Sequence, residues 1–138
     1  MTTKFKSGTS KAEDAADAAK AALDSANPQE ADLRRTDFVT AFMSPEYDYQ
    51  TAVETIRSET DNATLIGASS SGEFTGSEAV SQGIAVSTIE SDTMEFEVGI
   101  GTGVSDDPEQ AVTEATEGFP AEFESEHTVG LNFHDGLA

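Results

Sequence analysis

Apolar positions in this chain fall into short runs of two kinds. Phe38-Val39-Thr40-Ala41-Phe42-Met43 puts apolar side chains at both parities, as a strand buried on two faces does. Leu65-Ile66-Gly67-Ala68 is a second such run, and it stops in the polar turn Ser69-Ser70-Ser71-Gly72-Glu73. Between them, Ala52, Val53 and Ile56 recur at helical spacing after Ser44-Pro45-Glu46-Tyr47-Asp48. Upstream, Ala12, Ala15, Ala16, Ala19, Ala22 and Leu23 share one helix face, opposite Asp14, Asp17 and Asp24. Ser10 with Glu13 forms a capping-box pattern at the start of that helix, and Asn27-Pro28 ends it. A short first strand at Lys4–Gly8 completes a strand–helix–strand–helix–strand order, which predicts parallel pairing through right-handed crossovers.

The second half changes character. After a polar loop at Gly76–Gln82, the β-branched run Gly83–Glu90 and the alternating run Thr93–Ile100 are separated only by Ser91-Asp92. Together they predict an antiparallel hairpin with one solvated face. A third helix is expected after Ser105, with Ala111, Val112, Ala115 and Phe119 inside, and a last strand at Thr128–Phe133. Gly103-Val104-Ser105, its helix and that strand repeat the layout of Gly8-Thr9-Ser10, its helix and the strand at Phe38. The fold class is α/β: a mixed sheet with a parallel βαβαβ start over residues 1–75, then a hairpin and an incomplete second βαβ unit over 76–138. On this reading the repeat stops short, and the domain is truncated.

Composition alters the picture in one respect. The net charge is −20, with 27 acidic residues against four lysines and three arginines, and only 36% of residues are hydrophobic. Such a chain self-repels in dilute buffer, but its apolar residues are patterned as folded elements and not scattered as in a disordered chain. A folded, salt-adapted (halophilic) protein reconciles the two, because salt near 1 M shortens the Debye length to about 3 Å. Past Arg57 there is no further lysine or arginine, so neither nucleic acid nor an anionic membrane is an expected partner. Cysteine is absent, which excludes disulfides and thiolate chemistry. Neither a signal peptide nor a membrane-length apolar run is present, and a cytoplasmic location is expected.

The candidate chemistry sits in turns. Ser69-Ser70-Ser71-Gly72-Glu73 lacks the glycine pair that frames a nucleophile elbow, so a serine hydrolase is the least of three readings, behind a polar pocket wall and a capped turn without function. Ser44-Pro45-Glu46-Tyr47-Asp48 is a helix start with Asp48 as cap, yet it also carries Tyr47 to a strand end. Gly99-x-Gly101-x-Gly103 has the wrong glycine spacing for a dinucleotide loop and reads as a flexible bend. His134-Asp135-Gly136 reads as a turn before it reads as a metal site. No metal or cofactor is expected.

Four motifs in order, Ser44-Pro45-x-Tyr47-Asp48, Leu65-Ile66-Gly67-x-Ser69-Ser70-x-Gly72-Glu73, Gly103-Val104-Ser105-x-Asp107-Pro108 and Phe133-x-Asp135-Gly136-Leu137, resemble the FIST N-terminal domain. The resemblance runs from Gly8 onward. It implies a sensory module for small ligands such as amino acids or their derivatives, with no established catalytic residues, followed by a C-terminal FIST domain or a signalling partner. The expected ligand cleft joins Ser44, Tyr47 and Asp48 to Ser69, Ser70, Gly72 and Glu73. Hydroxyls and backbone N–H groups would take a carboxylate, and Glu73 or Asp48 an amine. A serine hydrolase working through Ser69–Ser71, and a scaffold without a ligand, are the alternatives.

Overall fold

The computed structural model describes residues 2–27 and 32–134. The chain divides into two compact units, Met1–Phe96 and Glu97–Ala138. In the first unit, β1 (Thr3–Ser10), α1 (Ala15–Ala26), a 3-10 turn at Leu33–Arg35, β2 (Phe38–Met43), α2 (Tyr49–Glu59) and β3 (Thr64–Ser69) follow in chain order. Two short strands, β4 (Glu73–Phe74) and β5 (Ala79–Val80), pair with each other, and β6 (Ile84–Ser91) ends the set. The protein is thus mixed α/β, with a mixed four-stranded sheet in the order β1-β6-β2-β3 and a second, two-stranded sheet.

The parallel start holds for direction but not for adjacency. β2 and β3 pair in parallel from Phe38↔Thr64 to Met43↔Ser69. β1 runs the same way, since both β1 and β2 are antiparallel to β6, yet β6 lies between them. Insertion of β6 also removes the expected hairpin. Its two edges are taken by β1, from Thr3↔Ser91 to Ser10↔Ile84, and by β2, from Phe38↔Ile89 to Met43↔Ile84. β6 thus has no edge left for the hairpin, and residues 93–100 form no strand; Phe96 instead stacks on Phe38, centroids 4.7 Å apart. The alternation in Thr93–Ile100 is not expressed as burial: Met94, Val98 and Ile100 are exposed, as are Thr93, Glu95 and Glu97.

The helices cover one face of the sheet. Alternate positions of the strands, Val39, Ala41 and Met43 on β2 with Ile84 and Val86 on β6, meet Ala18, Ala22 and Leu23 of α1 and Ala52 and Ile56 of α2 in one core. Leu23 and Ile56 are fully buried, each contributing about 1.5–3 kcal/mol. The alanine stripe lets α1 lie very close. A Cβ on Gly8 would collide with the backbone of Ala22 and Ala26, so β1 and α1 touch main chain to main chain. Ala18 and Ala26 belong to the buried stripe, whereas Ala12 and Ala16 stay half-exposed.

Local chemistry moves two helix starts. Asp14, not Ser10, caps α1: its carboxylate accepts from Ala16 N (2.9 Å) and Asp17 N (3.1 Å), while Ser10 ends β1. Aspartate and serine cap about equally well, and a negative side chain there also meets the positive end of the helix dipole. In the second unit α3 (Pro108–Thr116) is capped by Asp107, which accepts from Gln110 N at 2.9 Å, and not by Ser105. Pro108 at the first helical position fixes that start. Gly99 and Gly101 are not a bend, because a Cβ on either would strike the Ala115 or Ala111 carbonyl of α3. The expected strand at Thr128–Phe133 does not form: residues 128–133 adopt no strand conformation, and Val129 and Leu131 are exposed. Asp135, Gly136, Leu137 and Ala138 lie outside the described residues, as do Pro28 and the rest of residues 28–31.

Candidate functional site

Because β1, β2 and β3 share one direction, the turns that follow them gather at one edge of the sheet, where β6 begins. In sheets with parallel strands this carboxyl edge is where ligands collect. Three of the expected residues, Ser44, Ser70 and Glu73, meet there through Gly83, the residue before β6. Ser44 N donates to Gly83 O (3.0 Å), and Gly83 N donates to Glu73 Oε2 (3.1 Å). The other carboxylate oxygen of Glu73 accepts from Ser70 Oγ (2.6 Å), and Ser70 N donates to Met43 O (2.9 Å). Ser44 and Glu73 are both buried. Glu73 therefore brackets the ends of β2, β3 and β6, with both of its oxygens occupied. A buried carboxylate is tolerated only when hydrogen-bonded in this way.

Tyr47 stands beside this bracket. Its hydroxyl donates to Ala12 O at 2.7 Å, tying the turn after β2 to the turn after β1, with a longer approach to Gln82 O of 3.4 Å. Burial, followed by the Glu73 and Glu46 carboxylates, holds the phenol above its usual range. Asp48 has another role. It is exposed and caps α2, accepting from Thr51 N at 2.7 Å, and hydrogen bonds from Thr51 hold its carboxyl below the usual range. Ser69 and Gly72 are exposed beyond the bracket and make none of its hydrogen bonds. The structure thus brings together Ser44, Tyr47, Ser70 and Glu73, and leaves Asp48, Ser69 and Gly72 outside that network.

A groove of ≈ 390 Å³ opens at the same edge, lined by Lys11, Glu13, Glu46, Tyr47, Ser81 and Gln82. Gln82 Nε2 donates to Glu46 Oε1 at 2.9 Å, and Gln82 holds a left-handed backbone, φ 59°. Strain of that kind in a non-glycine residue clusters at binding sites. Lys11 is the residue that sequence reasoning passed over. It follows β1 directly and makes no ion pair or hydrogen bond through its ammonium among the described residues. Lys4, Lys20, Arg34 and Arg35 are each paired with a carboxylate. The available signal was position: a lone cation at the carboxyl end of a strand in a chain of 27 acids.

The groove can accept a negative group at Lys11 and a positive group at Glu46 or Glu13, with hydroxyl and amide donors between. Among the described residues no group of three or more histidines, aspartates or glutamates is arranged to hold a metal ion, and no helix is long and apolar enough to cross a membrane. The model of one protein family, the FIST N domain, matches residues 37–138. A search of curated proteins found no significant match.

Proposed function

We propose that this chain, which belongs to the FIST N domain family, binds a small zwitterionic ligand of the amino-acid type at the carboxyl edge of its sheet and signals that state without turnover. The family is one of sensory and signal-transduction domains. The observation that supports a zwitterionic ligand is the unpaired Lys11 ammonium sharing one groove with Glu46, Tyr47 and Gln82. A carboxylate on Lys11 gains a charge-assisted hydrogen bond, and an amine on Glu46 gains another, each stronger than a neutral pair. Glu73 fixes Gly83, the chain neighbour of the groove residue Gln82, by accepting from its backbone N–H. In a cytoplasm of high ionic strength, the ligand state would pass to a C-terminal FIST domain or a separate signalling partner.

Thermal shift in molar salt against a panel of amino acids and derivatives tests this. At least one member is expected to raise the melting temperature of the wild-type protein and to lose that effect in Lys11→Gln. Because Lys11 is exposed and unpaired, the substitution should leave the ligand-free melting temperature unchanged. Failure of every member to stabilise, or equal stabilisation of the variant, overturns the assignment. A fluorophosphonate probe that labels Ser69, Ser70 or Ser71 would replace binding with hydrolysis.

A further inference from the structure

The two outer strands of the four-stranded sheet are protected very differently. β1 carries Lys4 and Lys6 along its length, and charged residues of this kind keep other strands from adding to an edge. β3, Thr64-Leu65-Ile66-Gly67-Ala68-Ser69, has no charge and no proline, and its last three residues are exposed. In a chain of net charge −20, a bare neutral edge is the exception that needs a partner.

Backbone geometry identifies which groups of this edge have no ladder partner among the described residues. Thr64 N and Ser70 N both point at β2, donating to Asp37 O (3.0 Å) and Met43 O (2.9 Å). Amides of a parallel strand alternate in direction, so Leu65, Gly67 and Ser69 turn their N–H and C=O groups outward. This set is symmetric about Gly67. An antiparallel copy of the same strand, placed on a two-fold axis at Gly67, pairs Leu65 with the second copy's Ser69, Gly67 with Gly67, and Ser69 with Leu65. Every outward donor then meets an outward acceptor, and the smallest side chain lies at the axis.

We propose that two copies of this chain associate edge to edge through β3, giving one continuous eight-stranded sheet with an isologous two-fold seam. A second copy fits better than a foreign strand for two reasons. The register is self-complementary without a slip, and the paired β3 residues themselves carry no carboxylate where two strongly acidic molecules must approach. The remaining repulsion is long-range and is screened by salt, so association strengthens as ionic strength rises.

Light scattering after size exclusion, on the full chain at low salt and in molar potassium chloride, reads the outcome. The wild-type protein is expected to be a dimer in molar salt and to shift toward monomer in dilute buffer. Ser69→Pro removes an outward donor without costing a bond to β2, and Ala68→Lys adds a charge to the edge; each should yield a monomer in molar salt. Circular dichroism on both variants confirms that the fold is retained, and Ala68→Lys carries the test if the proline variant unfolds. A wild-type monomer in molar salt at every concentration reached overturns the proposal. So does a dimer that survives Ala68→Lys in a folded protein.

Discussion

Tyr47 is the residue at which the carboxyl edge of the sheet becomes a chemical environment. Its phenol is neutral in the folded protein to a higher pH than in the unfolded chain, because burial and the Glu73 and Glu46 carboxylates oppose the phenolate. The unfolded chain therefore loses this proton first as pH rises through about 10. Stability from this group is complete below that pH and falls as pH climbs toward the raised folded value. Chemical denaturation between neutral pH and the alkaline limit should show a steeper alkaline loss for the wild-type protein than for Tyr47→Phe. Equal slopes would mean that the tyrosine is indifferent to its neighbours. The sequence singled out Tyr47 because it follows a strand end, and it also singled out Ser44, Ser70 and Glu73. It did not reveal that Glu73 spends both oxygens on Ser70 and Gly83, because Gly83 lies ten residues away across a separate small hairpin. Lys11 escaped for the same reason: its worth depends on Glu46 and Gln82, which only the folded edge brings near it.

At the scale of elements, strands and helices were legible wherever a local pattern decides them. β2, β3, β6 and all three helices stand close to their expected positions. What failed was pairing. Gly83–Glu90 and Thr93–Ile100 are neighbours with a turn between them, and nothing in either reveals that β1 and β2 already occupy both sides of β6. Non-local competition for an edge has no signature in a window of ten residues. Packing against α1 was half legible: the alanine stripe announces close approach, but only the contact with Gly8 shows how close. Gly8→Ala must push β1 off α1, since the obstruction is backbone and not a movable side chain. A loss of about 1–3 kcal/mol or more is expected from such overpacking, measured by urea unfolding. A change within a few tenths would show that the strand shifts freely.

For the whole molecule, charge sets the working conditions. Carboxylates outnumber cations almost four to one, and the four ion pairs among the described residues are all at least partly exposed, so each is worth little. Repulsion among the rest is a long-range term that the fold itself does not cancel. Raising potassium chloride from about 0.1 M to 1 M cuts the Debye length from about 10 Å to about 3 Å, and the melting temperature should climb across that range. A melting temperature that is flat or falls with salt would remove the case for salt adaptation.

The place of β6 also sets a timetable for synthesis. The strand that joins β1 to the rest of the sheet is the last of the first unit to leave the ribosome, and the outermost pair, Thr3 with Ser91, is separated by 88 positions. Until Ile84–Ser91 has emerged, β1 has no neighbour to accept its hydrogen bonds and β2 is open on one side. Closing so long a loop is slow. A nascent chain halted at the turn after β3 would therefore expose one unpaired strand, β1, and one open edge of β2, and it is at that stage that it would be most in need of a chaperone.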